Sequence, residues 1–239
     1  MTKVTPYNNT ESKKKQVTQM FDNIAKSYDF LNHSLSLGMD NVWRKIAIKK
    51  LTNNPASILD VATGTADFAL SAAKYTRATI TGIDISQRML NVGIEKITKK
   101  GLDNRIQLQL ADSENLPFSD NSYDAITAGF GVRNFEDLHK GLSEMNRTLK
   151  TDGIIAILEP STPKYFPLKQ CYNLYFHHIL PFIGGLISKD KSAYTYLPDS
   201  VEAFPSNEVF LLELEKAGFK QCKYIPLTFG IVSLYTAIK

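Results

Sequence analysis

The stretch ILDVATGTADFAL, residues 58–70, ends an apolar run on an acid, Asp60, and then alternates small residues, Ala62, Gly64 and Ala66, with hydroxyls. It reads as a buried strand, a tight turn and the start of a helix. Small side chains let the backbone turn sharply and let a ligand come close to the amides. In an open parallel sheet, ligands lie beyond the carboxyl ends of the strands where the strand order reverses, which is where this turn falls.

Outward from this stretch, apolar runs of strand length alternate with segments of helical period. SILDVA (57–62), ATITGID (78–84), RIQLQLA (105–111), YDAITAG (123–129) and GIIAILE (153–159) read as strands. Several are apolar throughout, as parallel strands covered on both faces are. Phe135, Leu138, Leu142, Met145 and Leu149 recur at spacings of three and four and form one face of a helix, with Asn134 placed to cap it. The alternation implies right-handed βαβ crossovers and a doubly wound α/β sheet.

Three segments depart from the alternation. The first 52 residues carry no strand and read as a helical cap, the core spans 53–160, an aromatic-rich helical insertion covers 161–205, and a helix and two strands close the chain over 206–239. The last two strands, FKQCKYIP and LTFGIVSLYTAIK, are joined by a short turn and should lie antiparallel, giving a seven-stranded, mostly parallel sheet.

At 239 residues and 43% hydrophobic content, the chain suits one α/β domain. Cys171 and Cys222 show no metal-ligand spacing, and the longest apolar stretch, 179–187, is far shorter than the roughly 20 residues of a membrane span. A cytoplasmic protein, peripheral at most to a membrane, is expected. A net charge of +4 is mild, and the one dense basic run, Lys13 to Lys15, reads either as a solvated face or as an attraction to an anionic surface. No basic stripe with base-stacking aromatics points to nucleic acid.

The second strand ends on Asp84, twenty positions after Gly64, where a carboxylate can accept hydrogen bonds from ribose hydroxyls. The third leads to Asp112, which can accept from the exocyclic amine of adenine, with Ser113 and Leu116 beside the ring. A dinucleotide and S-adenosylmethionine both fit so far. A three-glycine phosphate loop is missing, and Asp67 near the helix start would oppose a phosphate but suit an amino-acid ammonium, so the pattern favours S-adenosylmethionine.

These motifs resemble the class I S-adenosylmethionine-dependent methyltransferases, whose fold is Rossmann-like. FDNIAKSYDFLN, FGVRNF, YTYLPDSVEAFP and LTFGIVSLYTAIK narrow the resemblance to the quinone-biosynthesis C-methyltransferases. The resemblance implies methylation of demethylmenaquinol to menaquinol, with a ubiquinone-type benzoquinol or another hydrophobic phenol as the alternative. It also implies cofactor contacts from Thr65, Asp84, Asp112, Ser113 and the backbone near Gly129, beside Asp60, Ala62 and Gly64. Glycine is more usual than alanine at position 66.

Methyl transfer to carbon needs a carbon nucleophile, which a hydroquinone supplies once a ring hydroxyl loses its proton. Arg133 is expected to stabilise the resulting phenolate by charge. Asn134 either orients the same oxygen or caps the helix. Tyr28 either hydrogen-bonds the other ring oxygen, with Asp29 and Asn32 fixing the helix turn, or packs in the core. His33, His177 and His178 have the chemistry of a base, and so does a held water.

The insertion's apolar residues, Tyr165, Phe166, Tyr172, Leu174, Tyr175, Phe176, Ile179, Leu180, Phe182 and Ile183, suit either a polyprenyl tail or a dimer or core face. Rival readings are a nicotinamide-dependent oxidoreductase, which the glycine pattern and the terminal hairpin oppose, and a non-catalytic S-adenosylmethionine-binding subunit.

Overall fold

The computed structural model describes residues 4–7, 9–174 and 192–239. Tyr175, Phe176, Ile179, Leu180, Phe182 and Ile183 of the expected tail-binding set, and the candidate bases His177 and His178, lie outside the described residues.

Seven strands, β1 (Ser57–Val61), β2 (Thr79–Asp84), β3 (Ile106–Leu110), β4 (Tyr123–Gly129), β5 (Leu149–Pro160), β6 (Lys220–Leu227) and β7 (Val232–Ile238), form one sheet in the order β3-β2-β1-β4-β5-β7-β6. The first five are parallel, and β7 runs antiparallel to both β5 and β6. The strand order reverses between β1 and β4, so the turn after Asp60 opens at the switch point as its sequence implied.

Successive strand residues serve opposite faces. Ile58 and Ile80 pack with α2 (Met39–Ile48) and α3 (Asp67–Tyr75), while Leu59 and Ile83 pack with α5 (Leu138–Thr148) and α8 (Glu208–Lys216). Ile58 and Leu59 are both fully buried, and each such side chain contributes roughly 1.5–3 kcal/mol. This double coverage is why β1 reads as a continuous apolar run rather than an alternating one.

Helix α1 (Lys13–Leu35) buries Val17, Met20, Ile24 and Leu31, a stripe at helical spacing. The stripe packs on Ala193 and Tyr196 of α7 (Ser192–Ala203), so the cap and the end of the insertion meet over the sheet's carboxyl edge. Helices α4 (Gln87–Lys99) and α6 (Leu168–Leu174) complete the set among the described residues.

The cap expected of Asn134 is corrected. Asp137 caps α5, its side chain accepting from the Lys140 amide at 3.0 Å, and Asn134 closes a 3-10 turn over Val132–Asn134. Leu149 likewise begins β5 instead of ending the helix, and the strand runs four residues earlier than the apolar run at 153.

Candidate active site

The loops after β1, β2, β3 and β4 enclose a cleft lined by Ala62, Gly64, Asp84, Asp112, Ser113 and Gly129, with Lys14, Val17, Phe21 and Tyr28 of α1 above them. Ala62, Gly64 and Ala66 all hold positive φ, at 53°, 55° and 67°. Left-handed backbone costs a residue with a Cβ roughly 1–2 kcal/mol, which explains why every second position of the loop is small. Gly131 is small for a different reason: a Cβ there would lie 2.5 Å from that of Ala62.

Asp84 joins two of these loops. One carboxylate oxygen accepts from the Gly64 amide at 2.9 Å and the other from the Ser86 amide at 2.8 Å. Burial pushes its pKa up to about 6, with the two amide bonds opposing the rise. The carboxyl group is therefore fixed in orientation on the cleft wall. Asp112 accepts from the Glu114 amide through Oδ1, while its Oδ2 and Glu114 Oε2 lie 2.7 and 2.9 Å from Lys14 Nζ.

Two expected cofactor residues stand back from the cleft. Asp60 is fully buried and accepts from Thr63 Oγ1 at 2.5 Å and Thr127 Oγ1 at 2.6 Å, so it ties the turn to β4. Burial raises its pKa to about 6 against those two bonds. The Thr65 hydroxyl donates to Asp29, which also pairs with Lys96 at 2.7 Å. Asp29 thus fastens α1 to the cofactor loop instead of fixing its own helical turn.

Beyond Phe21, Tyr28 and Phe130, which line both spaces, the cleft meets an apolar cavity of about 510 Å³. Met20, Ile24, Leu31, Trp43, Tyr172 and Tyr196 form much of its wall, and Tyr28, Asn32, Ser36, Asp40, Arg44, Arg133 and Thr228 are among its polar groups. At its rim Leu37 and Phe229 are 90% and 76% exposed.

Arg133 reaches this cavity, but its charge is matched. Nη1 lies 3.0 Å from Oε2 of the fully buried Glu159 and also donates to the Phe130 carbonyl, while Nε donates to Ser200 Oγ at 3.4 Å. Glu159 Oε1 accepts from the Val132 amide at 2.7 Å, which fixes the turn carrying Arg133. Arg133 is therefore held in an ion pair at the cavity wall. Burial raises the pKa of Tyr28 and lifts that of Tyr196 to about 12, with Arg133 opposing both, so both phenols stay protonated. Tyr196 donates to Asn134 Oδ1 at 3.0 Å, and Asn134 lines the cleft.

Several functional groups escaped the sequence reading. Glu159 ends an apolar strand as Asp60 and Asp84 do, and that shared position was its signal. Asp40 and Arg44 stand four apart in DNVWR, at the spacing of a helical ion pair. Lys13 and Lys14 looked like part of a solvated run, yet Lys13 Nζ donates to the Arg133 and Phe135 carbonyls and only Lys15 of the three is exposed. Burial lowers and its acidic partners raise the Lys14 pKa, and the net effect is a rise.

His33, Asp40 and Asp67 gather closely enough to suggest a metal site. Their negative charge already has cations: Arg44 lies 2.5 Å from Asp40 and 3.5 Å from Asp67, and Lys96 pairs with Asp67. The cluster is a salt-bridge network between α1, α2, α3 and α4.

The donor set fits S-adenosylmethionine on the structure's own terms. Carboxylates at the ends of β2 and β3 meet hydroxyls and an amine, and small residues leave the loop amides approachable. The fold and this cleft define a class I S-adenosylmethionine-dependent methyltransferase. A structure from Methanococcus maripaludis described as a putative S-adenosylmethionine-dependent methyltransferase superposes with a TM-score of 0.63 at 21% identity, covering 98% of this chain and 96% of that one.

Residues 9–239 match the ubiE/COQ5 methyltransferase family, and the chain belongs to it. It is 52% identical to the demethylmenaquinone methyltransferase of Bacteroides fragilis over 99% of this chain and 98% of that one. It is 47% identical to the ubiquinone/menaquinone biosynthesis C-methyltransferase of Geotalea daltonii over 95% and 97% of the two chains.

Proposed function

We propose that the protein methylates the ring carbon of demethylmenaquinol to give menaquinol, with S-adenosylmethionine as the methyl donor. The observation that carries this reading is the junction of a carboxylate-lined cleft with a large apolar cavity across Phe21, Tyr28 and Phe130. The relatives named for this reaction, at 52% identity over nearly the full chain, support the same substrate.

When bound, the cofactor supplies an electrophilic methyl on a sulfonium. Asp84 would hold its ribose, and Asp112 with Ser113 its adenine, while Gly64 and Gly129 admit it closely. In the cavity, Arg133 and Tyr28 would meet the ring oxygens. Because Glu159 balances Arg133, the guanidinium acts as a fixed donor and dipole instead of a lone positive charge. Tyr28, kept protonated by burial, is a hydrogen-bond donor to an oxygen that gains charge. Asn134, held by Tyr196, stands between the two spaces. Orientation and exclusion of water supply the remaining acceleration.

The apolar cavity suits a polyprenyl tail, and its exposed rim residues Leu37 and Phe229 suit contact with the bilayer that holds such a substrate. No helix among the described residues is long and apolar enough to cross a membrane, so that contact would be peripheral.

The test is transfer of labelled methyl to chemically reduced demethylmenaquinone with a short prenyl tail, beside the oxidised quinone and a benzoquinol. Methylation of the reduced naphthoquinone alone is expected. Equal methylation of the oxidised quinone would overturn the phenol chemistry, and preference for the benzoquinol would move the substrate to the ubiquinone series.

A further inference from the structure

Methylating an aromatic carbon releases one proton per turnover. As the new carbon–carbon bond forms and the sulfur–methyl bond breaks, the sulfur becomes a neutral thioether and the ring hydroxyl takes on the character of a protonated carbonyl. That proton leaves first. Aromaticity returns when the methylated carbon loses its hydrogen and the oxygen regains a proton, so one proton in total must leave the site.

We propose that Asp40 accepts the ring-hydroxyl proton and that His33 passes it to solvent, an inference that rests on the quinol reading above. Asp40 is 2% exposed and lines the cavity together with Ser36 and Arg44. Its Oδ1 accepts from Ser36 Oγ at 2.9 Å. Its Oδ2 accepts from Arg44 Nη1 at 2.5 Å and lies 2.7 Å from His33 Nδ1. The His33 side chain is 38% exposed, so two side chains connect the cavity wall to bulk water.

The charges around this path suit the task. Burial raises the Asp40 pKa, but Arg44, Ser36 and His33 together hold it below the ordinary carboxylate value, so the group is ionised at neutral pH. Such a weak base would not strip a resting phenol, whose pKa is roughly 10 by analogy with tyrosine. It is strong enough once carbon attack has made the hydroxyl acidic, so proton loss accompanies bond formation.

His33 faces Asp40 from α2 and Asp67 from α3, its Nε2 lying 3.5 Å from Asp67 Oδ2. Two carboxylates thus flank the imidazolium formed when it takes the proton. Arg44 spans the same two carboxylates, Lys96 of α4 pairs with Asp67 and with Asp29 of α1, and Tyr28, Tyr172, Tyr196 and Arg133 are the other ionisable groups on the cavity wall. Three carboxylates against two fixed cations leave one negative charge over, which the imidazolium formed on His33 balances.

The experiment compares the full-length protein with Asp40→Asn and His33→Gln on reduced demethylmenaquinone and on a ring-halogenated analogue with a more acidic hydroxyl. Cofactor affinity is measured by calorimetry in parallel. Asp40→Asn is expected to lower kcat by about 100-fold, with KM and cofactor Kd nearly unchanged, and to recover most of that loss on the acidic analogue. His33→Gln leaves the Arg44–Asp40 pair intact, so it reports even where Asp40→Asn folds poorly. It is expected to lower kcat about tenfold with KM nearly unchanged.

Equal losses on both substrates, or an unchanged kcat in His33→Gln, would overturn the proton path and leave the quinol reading standing. Failure of the unaltered protein to methylate the quinol at all would overturn both.

Discussion

Arg133 Nη1 and Glu159 Oε2 are 3.0 Å apart, and Glu159, at the carboxyl end of β5, is fully buried. This one contact decides what Arg133 can offer a substrate and how its replacement must be interpreted. Removing one partner of a buried pair leaves the other charge uncompensated, at about 3–5 kcal/mol.

Arg133→Ala is therefore expected to cost about 3–5 kcal/mol in stability as well as turnover. Replacing both partners, Arg133→Met with Glu159→Met, should recover most of the stability while methyl transfer stays lost. Urea unfolding and labelled-methyl transfer on the three proteins check this. Recovery of turnover in the double variant would mean that Arg133 serves the fold alone.

Asp84 gives a pH dependence with a definite sign. Its pKa is raised to about 6, so the carboxylate that ribose hydroxyls would need is lost as pH falls through that value. Cofactor Kd should be about tenfold weaker at pH 5 than at pH 7, the weakening of binding that one protonation with this midpoint produces. Asp84→Asn should bind weakly at both values and show little of this dependence by calorimetry. An unchanged affinity at pH 7 would remove Asp84 from the cofactor site.

The fold was legible because the strands are buried on both faces and their apolar runs stand out, and because small residues at 62, 64 and 66 mark a turn that only compact side chains tolerate. Residues at strand ends could be placed by position alone, but position does not say which way a carboxylate turns. Asp60 stands opposite Gly82, two residues short of Asp84 in the register, and it points into two threonines while Asp84 lines the cleft. Long-range partners were not legible at all. Lys14 meets Asp112 across 98 residues and Arg133 meets Glu159 across 26, and no local pattern encodes either. The Asn134 cap failed for a local reason, since Asp137 offers the same chemistry three residues later with the geometry to use it.

Gly131 tests how tightly the cleft is built. A Cβ at this position would lie 2.5 Å from the Ala62 Cβ, on a neighbour whose own backbone is held at positive φ. Gly131→Ala should cost about 1–3 kcal/mol by overpacking and weaken cofactor binding, because relief requires the loop after β1 or the turn before Val132 to shift. Thermal unfolding and calorimetry report the two effects. A fully stable variant with normal affinity would show that this loop adjusts freely.

Lys14 tests how the cofactor gains its place. The cleft encloses about 60 Å³, well below the roughly 300 Å³ at which small-molecule pockets begin. Lys14, Val17, Phe21 and Tyr28 of α1 cover it, and Lys14 Nζ is bonded to Oδ2 of Asp112, the carboxylate expected to accept from adenine. Binding then requires that this ion pair give way. A partly exposed pair of this kind is worth up to about 1 kcal/mol, so Lys14→Ala should tighten cofactor binding by up to about fivefold and raise its association rate. Stopped-flow binding measures both. If binding instead weakens, Lys14 holds the cofactor itself.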